Sequence, residues 1–172
     1  MRHLVSMLPA IGVVAILAAC APPPPQADAG VVALLDRQAI DQLVAGTYPR
    51  ALDAQNWKAY ADTYTEDGEL VLAGQSAKTR AGIMEFLGKL PPEKINHVIS
   101  NLSYKLEGEN AVGGAYWQDI GLVNGAPGVI VAGHYLDSLR KVNGEWLFAK
   151  REIVIDFAAA AAAPAAPAAA SQ

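Results

Sequence analysis

The sequence predicts an α+β fold in which N-terminal helices pack on the concave face of a curved antiparallel sheet of about four long strands, forming a cone-shaped cup. Three observations predict it. Apolar residues recur at helical spacing in the first half, the period changes to two after residue 94, and short turn sequences separate the alternating segments. Helices that precede all the long strands favour packing on one face of an antiparallel sheet.

The helical half contains several separate segments. A first helix is predicted over 31–46, because its apolar residues follow an i, i+3, i+4 stripe: Val32, Leu35, Ile40, Leu43 and Val44. Pro49 must kink or restart it, so "RALDA" is predicted to be a second piece. "NWKAYADTYTEDG" predicts a short helix with Asn56 as N-cap and Gly68 just past its end. "ELVLAG" predicts a short strand, and "TRAGIMEFLGKL" a helix capped by Thr79.

The second half alternates with period two. Four strands are predicted in "INHVISNLSYKLE", "AVGGAYWQDIGLV", "VIVAGHYLDSLRKV" and "EWLFAKREIVID". They are joined by turns at "GEN", at "NGAPG" and at "NG", which is a strong hairpin signal. Gly113 and Gly114 in mid-strand predict a bulge or a sharp bend. A bent sheet under helices leaves a hollow that can hold a small ligand.

Both ends of the chain differ in composition from the middle. Residues 1–19 have a positive start and an uncharged apolar run that ends in "LAA" before Cys20, the only cysteine. This spacing resembles a bacterial lipoprotein signal, which implies that Cys20 is lipidated and anchors the chain to a membrane. Ala21 at the next position implies an outer membrane, with the protein facing the periplasm. Residues 20–30 then form a proline-rich linker, 31–157 the folded domain and 158–172 a disordered Ala/Pro tail.

Composition excludes several classes of function. The formal net charge is −4 and no basic run or stripe occurs, so nucleic acid is a poor partner. The phosphate loop, the Rossmann glycine pattern and the G-x-S-x-G motif do not occur. Two histidines outside the leader, without cysteine partners, do not predict a zinc site. We therefore expect neither a cofactor nor a metal.

One strand carries polar residues where apolar ones are expected. In "KINHVISNLSY", strict alternation places His97, Ile99 and Asn101 on one face of the strand. We therefore expect His97 and Asn101 to point into the hollow, where a histidine titrates near neutral pH and can exchange a proton with a ligand. The alternative is a core histidine that the backbone or Asn101 satisfies.

The order of elements, with "RALDAQNWKAYADTYTEDGEL", "NHVISN", "GHYLDSLRKVNGEW" and "REIVID", resembles the nuclear-transport-factor-2-like superfamily and within it the SnoaL-like branch. The resemblance implies the cup-shaped fold. It also implies either a cofactor-independent dehydratase or isomerase that acts on a small hydrophobic hydroxy or keto compound, or a non-catalytic ligand-binding or assembly protein.

The resemblance also implies site residues. Asp53 and His97 match the aspartate and histidine of the superfamily's dehydratases, and Tyr48 matches a tyrosine of its bile acid dehydratases. Asp53 would fix the imidazole tautomer and Tyr48 would polarise a carbonyl or a leaving hydroxyl. On an ideal helix Tyr48 and Asp53 lie about 140° apart, so the break at Pro49 decides whether both reach the site. Asp53 alone could equally cap the next helix.

Further ligand contacts are implied on the later strands. Asp119 and Arg151 match an acidic residue and an arginine of the bile acid dehydratases, although another register places Tyr116 at the acidic position. Where scytalone dehydratase uses a serine and an asparagine, this chain has Gly133 and Tyr135, a departure from that enzyme's pattern. The candidate ligand-binding set is Asn101, Tyr116, Asp119, Tyr135 and Arg151.

Two charged residues have alternative assignments. Arg151 is as readily a salt-bridge partner of Asp137 as a ligand contact. His134 is expected on the outer sheet face, opposite in orientation to Tyr135, and that face is the predicted surface of a homodimer. The other aromatic residues, Trp57 and Tyr60 among them, are assigned to packing.

Overall fold

The computed structural model describes residues 28–91, 94–123 and 125–159. The leader, Cys20 and almost all of the predicted linker and tail lie outside the described residues. The helical elements are α1 (Ala29–Gln42), a π-helical turn (Leu43–Thr47), α2 (Tyr48–Asp53), α3 (Trp57–Asp62) and α4 (Thr79–Leu87). The strands are β1 (Tyr64–Leu72), β2 (Gln75–Lys78), β3 (Asn96–Glu107), β4 (Asn110–Val123), β5 (Ala126–Val142) and β6 (Glu145–Ala158).

The strands form one sheet in the order β2-β1-β6-β5-β4-β3. Neighbouring strands are antiparallel except β1 and β6, which are parallel. The four long predicted strands correspond to β3–β6, and the α+β class is confirmed. The described sheet has six strands rather than about four, because β1 and β2 extend it beyond β6.

Strand β1 begins within a segment that the sequence pattern assigned to a helix. The predicted helix of "NWKAYADTYTEDG" ends at Asp62 rather than near Gly68, and β1 begins at Tyr64. The backbone N–H of Phe148 donates to the carbonyl of Thr63 at 2.9 Å, and Tyr64 pairs with Phe148 across the sheet. Tertiary pairing with β6 therefore overrides the helical spacing. The Asn56 cap is confirmed, since its side chain accepts a hydrogen bond from the backbone N–H of Ala59 at 3.0 Å.

The helix continues past Pro49 by widening for one turn. The backbone N–H of Tyr48 bonds to the carbonyl of Leu43, five residues earlier, which is π-type geometry. Pro49 then occupies the first turn of α2, where its missing N–H costs little. The predicted break is thus a π-turn that joins α1 to α2 without a loop, and it rotates the residues after it relative to α1.

Sheet curvature comes from bulges and from close strand contacts. The register of β3 against β4 shifts between Ser100 and Ser103, and Asn101 within this bulge has a φ of 52°. A Cβ atom at Gly113 would overlap the carbonyl of Ser103, and one at Gly114 would overlap the carbonyl of Tyr135. The backbone of neighbouring strands therefore lies close to the two glycines, where an irregularity was predicted. The extra residue of the bulge belongs to β3, opposite them.

The helices cover one face of the sheet and enclose the core. Buried side chains from both layers meet there, among them Val44, Tyr48, Tyr60, Tyr64, Leu70, Ile83, Leu139 and Phe148. The hairpin between β5 and β6 turns at Asn143 and Gly144, whose φ values of 52° and 87° are those of the predicted two-residue turn. No helix in the described part of the chain is long and apolar enough to cross a membrane.

Candidate functional site

A cavity of about 280 Å³ opens between the helices and the concave face of the sheet. We call it the central cavity. Most of its lining is aliphatic and comes from α2, α4, the segment before β3 and strands β1, β5 and β6. The side chains with polar atoms that line it are Tyr48, Gln55, Trp57, Tyr60, His97, Trp117, Asp119 and Tyr135. A concave, largely apolar space with a few polar groups is typical of a small-molecule site.

His97 and Asp53 form the predicted pair at the edge of this cavity. Asp53 ends α2, and its Oδ1 lies 2.6 Å from Nδ1 of His97 on β3. The same oxygen accepts a hydrogen bond from the backbone N–H of His97 at 3.1 Å. This double contact fixes the imidazole orientation and favours the tautomer with the proton on Nδ1. It also joins the helical layer to the sheet.

Asp119 faces the other nitrogen of the same ring. His97 and Asp119 are opposite each other in the β3–β4 register, and Nε2 lies 3.0 Å from Asp119 Oδ1. The direction of this contact is unfavourable for a hydrogen bond, and Oδ1 has no hydrogen-bond partner among the described residues. The side chain of His97 is 6% exposed and that of Asp119 is 11% exposed. Ion pairing across the short distance therefore dominates this contact.

The two carboxylates decide the protonation of His97. Burial by itself lowers the pKa of His97, but the nearby carboxylates of Asp119 and then Asp53 outweigh burial and raise this pKa above its usual value. The fold thus favours the imidazolium form of His97. Its neutral form, which could accept a proton at Nε2, becomes dominant only above the raised pKa.

Tyr48 reaches the cavity from α2 within a cluster of aromatic hydroxyls. The hydroxyl of Tyr60 donates to that of Tyr48 at 3.0 Å and lies 3.3 Å from that of Tyr64. Burial raises the pKa of Tyr48, while the nearby charge of Arg151 opposes that rise. Tyr48 is therefore a neutral hydroxyl that can donate a hydrogen bond. The structure places Tyr48 and His97 on the same cavity.

Arg151 lies behind the cavity wall rather than on it. It is fully buried and donates to both carboxylate oxygens of Asp137, at 2.8 and 2.6 Å. Its guanidinium carbon lies 4.1 Å from the ring centroid of Tyr48, 3.8 Å from that of Tyr135 and 4.0 Å from that of Phe148. The salt-bridge alternative is correct, and the predicted direct ligand contact is not seen because the aromatic rings cover the guanidinium.

Two other predicted ligand contacts lie on the wrong face. The bulge in β3 inserts one residue after Ser100, so Asn101 is exposed on the outer face instead of sharing a face with His97. Tyr116 is 53% exposed and lines a shallow outer depression with Asn101 and His134. Of the two registers considered, the one that places Asp119 in the cavity is correct. Tyr135 lines the central cavity, as predicted. Its neighbour His134 faces outward and pairs with Asp156.

The cavity also contains aromatic residues that the predicted site did not include, namely Trp57, Tyr60 and Trp117. Trp117 is buried and stacks on Tyr135, with ring centroids 5.9 Å apart, and Tyr60 completes the hydroxyl cluster. A signal for Trp117 existed: it lies two residues before Asp119, so both share one face of β4. Within the described residues, no group of three or more His, Cys, Asp and Glu side chains is arranged to hold a metal ion.

The comparison with protein families agrees with this architecture. The SnoaL-like domain family matches residues 32–152. The chain belongs to the SnoaL-like domain family. The matched region includes all the polar cavity residues and most of the sheet. No curated protein sequence matches the chain.

Solved structures show the same fold. An NTF2-like protein with a cystatin-like fold from Novosphingobium aromaticivorans is 24% identical with a TM-score of 0.67, over 77% of this chain and 90% of that protein. A candidate scytalone dehydratase from the same species is 23% identical with a TM-score of 0.63, over 79% and 97%. LinA is 19% identical with a TM-score of 0.68, over 80% and 99%. At these identities the likeness shows the fold alone.

Proposed function

We propose that this protein is a cofactor-independent dehydratase or isomerase that acts by acid–base catalysis on a small hydrophobic hydroxy or keto compound. One observation carries the proposal: an imidazole held between two carboxylates faces an apolar cavity. The fold neighbours described as LinA and as a candidate scytalone dehydratase support a small-molecule site of this kind. The cavity volume of about 280 Å³ is near the lower end for ligand pockets, which favours a compact one- or two-ring compound.

The proposed chemistry assigns each group one task. Asp53 holds Nδ1 of His97, so that Nε2 can accept a proton from the carbon beside a substrate carbonyl. The electron pair of that C–H bond forms the C=C bond as the C–O bond to the leaving hydroxyl breaks. The imidazolium returns its proton to the hydroxide, and water leaves. In an isomerisation the same proton would return to a different carbon of the substrate.

Tyr48 and Asp119 would handle the substrate oxygens. As a neutral donor at the cavity wall, Tyr48 would stabilise negative charge that develops on a carbonyl oxygen or would assist the leaving hydroxyl. Asp119 raises the pKa of His97 and presents a buried carboxylate oxygen beside the proton-transfer position. No cofactor is needed for these steps.

Location is a separate part of the proposal. The lipoprotein-like leader and Cys20 support anchoring at the bacterial cell envelope, in the outer membrane facing the periplasm. Two acyl chains would make such attachment stable. A membrane-held site would meet apolar substrates at the lipid surface, where they concentrate.

A dehydration assay tests the catalytic proposal. Detergent-solubilised full-length protein is incubated with 3-hydroxy-α-tetralone, a two-ring β-hydroxy ketone whose loss of water gives fluorescent α-naphthol. We expect His97→Ala to lower the rate by roughly 10²–10⁴-fold, since it removes the acid–base group. The matched control is His134→Ala, which removes the outward-facing histidine that pairs with Asp156. Circular dichroism verifies that both variants are folded.

The outcomes separate two functions. A His97→Ala variant as active as the wild type would show that the acid–base assignment is wrong. The second candidate is a non-catalytic ligand-binding lipoprotein. It is favoured by the hydrogen bond from the backbone N–H of His97 to Asp53, because that bond joins α2 to β3 and gives Asp53 a role in stabilising the fold. Binding of α-tetralone without any production of α-naphthol by the wild type would support this second function.

A further inference from the structure

Buried polar atoms without partners concentrate around the central cavity. Among the described residues, four buried side-chain atoms have no hydrogen-bond partner: Thr65 Oγ1, Trp117 Nε1, Asp119 Oδ1 and Arg151 Nη1. Trp117 and Asp119 line the cavity, and Arg151 packs directly behind two tyrosines that line it. Folded proteins rarely leave buried polar atoms unpaired, so a cluster of them at a ligand-sized cavity needs an explanation.

Trp117 supplies a fixed donor. It is 4% exposed, and its ring stacks on Tyr135 with an interplanar angle of 16°. The indole N–H of a tryptophan can only donate. By contrast, Trp146, another of the three tryptophans, donates its N–H to Asp36 at 3.0 Å. Trp117 is therefore a buried tryptophan beside the cavity whose hydrogen-bonding capacity the protein itself does not use.

Asp119 supplies the complementary acceptor. Its residue exposure is 8%, and Oδ1 is near His97 Nε2 without a hydrogen bond. An ionised carboxylate can only accept. Trp117 and Asp119 point to the same face of β4 two residues apart, which places their Cα atoms about 7 Å from each other. A donor and an acceptor that project from the same face of one strand suit a ligand that carries one accepting and one donating oxygen function.

We infer that the cavity binds a hydroxy-carbonyl compound whose carbonyl oxygen accepts from the Trp117 indole N–H and whose hydroxyl donates to Asp119. The inference rests on the proposed function, and it names the two side chains that bind the carbonyl oxygen and the hydroxyl of such a compound. The hydroxyl-bearing end then lies where proton transfer occurs, because Asp119 Oδ1 is 3.0 Å from His97 Nε2. The aliphatic lining surrounds the rest of the ring system.

Indole N–H resonances test the carbonyl contact directly. Two-dimensional ¹H–¹⁵N spectra of the full-length protein in detergent micelles show one indole signal for each tryptophan, and Trp117→Phe assigns the relevant one. The probes are α-tetralone, which has the carbonyl, and tetralin, which has the same ring skeleton without oxygen. We expect α-tetralone to move the Trp117 signal downfield, and tetralin to leave it without a downfield shift. The Trp146 signal should not respond to either probe.

Affinities give the matched comparison, with concentrations corrected for partition into the micelles. Trp117→Phe keeps an aromatic ring but removes the N–H, so it should weaken α-tetralone binding by roughly 3–10-fold and leave tetralin binding unchanged. The control Trp57→Phe changes another tryptophan that lines the cavity and should weaken both probes equally or neither. Asp119→Asn should weaken the alcohol α-tetralol more than α-tetralone.

Failure of the inference is distinguishable from failure of the proposed function. Neither α-tetralone nor tetralin can lose water, so the Trp117 shift does not depend on turnover. A protein that shows the shift but forms no α-naphthol keeps the inferred ligand class and loses the catalytic proposal. If α-tetralone does not bind, or binds without moving the Trp117 signal, the inference is wrong, whatever the dehydration assay shows.

Discussion

His97 receives a carboxylate on each ring nitrogen, and the two carboxylates come from different layers of the fold. Asp53 approaches from the end of α2, whereas Asp119 lies opposite His97 on the neighbouring strand. Nδ1 and the backbone N–H of His97 share one oxygen of Asp53, so this contact is directional and fixed. The contact of Nε2 with Asp119 is short but poorly directed, so it depends on charge rather than on a directed hydrogen bond.

The pH dependence of His97 is a prediction at this scale. Its folded pKa is raised above the unfolded value of about 6.5, so the charged form stabilises the fold below that pH. This contribution to the free energy of unfolding is lost as pH rises through the raised folded pKa. Activity should change in the opposite direction, because Nε2 accepts a proton only when the ring is neutral. The rate should therefore rise with pH through the same pKa.

Asp119→Asn tests which carboxylate sets that pKa. Of the groups that raise the pKa of His97, Asp119 has the largest effect, so the loss of its charge should lower this pKa relative to that of the wild type. We expect the rising limb of the pH–rate profile to move to lower pH, whatever the maximal rate, and the NMR titration of the ring to move with it. A titration midpoint that stays in place would show that Asp119 does not control His97.

The elements differ in how far their own sequences determine them. The four long strands and the hairpin at Asn143 follow from alternation and turn residues, and both are present. The end of α3 was not predictable from spacing, because the pairing of Tyr64 with Phe148 joins residues far apart in the chain. The local sequence pattern could not predict the sheet face on which Asn101 lies, because one extra residue in β3 reverses the orientation of every later side chain.

The mid-strand glycines of β4 give a stability prediction for an element. Gly114→Ala would place a Cβ against the backbone carbonyl of Tyr135, which cannot move without disturbing β5. We expect a loss in the free energy of unfolding of roughly 1–3 kcal/mol or more, measured by urea denaturation. Gly82→Ala in α4 is the control: its nearest neighbour would be Thr79 Oγ1 at 3.6 Å, and alanine favours a helix by roughly 1 kcal/mol. Equal effects at both glycines would contradict the close-approach argument.

For the whole molecule, the site depends on the meeting of two layers. Residue spacing and family resemblance could pair Asp53 with His97 and could leave Asp119 and Tyr116 as alternatives, but only the β3–β4 register decides between these two. Arg151 could not be placed from sequence, because three aromatic rings from separate elements enclose it. Association of two copies through the sheet stays a prediction. The outer face exposes Val98, Val112, Tyr116 and Leu136, as such a surface requires.

The segment between Cys20 and α1 would set the distance between the folded domain and a membrane. Cys20 precedes Asp28, the N-cap of α1, by a proline-rich segment that would span roughly 25 Å in the polyproline II conformation. That length would keep the start of α1 near the lipid surface. Since Cys20 is the only cysteine, any thiol-linked acyl chain must be attached there. Cells fed an alkyne-bearing fatty acid should therefore label the wild-type protein and should not label Cys20→Ser.

The matched control for labelling is Ala21→Ser, which keeps the cysteine and changes only its neighbour. We expect this variant to be labelled and to partition into the detergent-rich phase with the wild type. Mass spectrometry should show a mature chain that begins at residue 20 and carries the acyl groups. A wild-type chain without label, or label that persists in Cys20→Ser, would contradict lipid anchoring. The acid–base proposal would survive that result, because every contact of His97 that carries it lies within the folded domain.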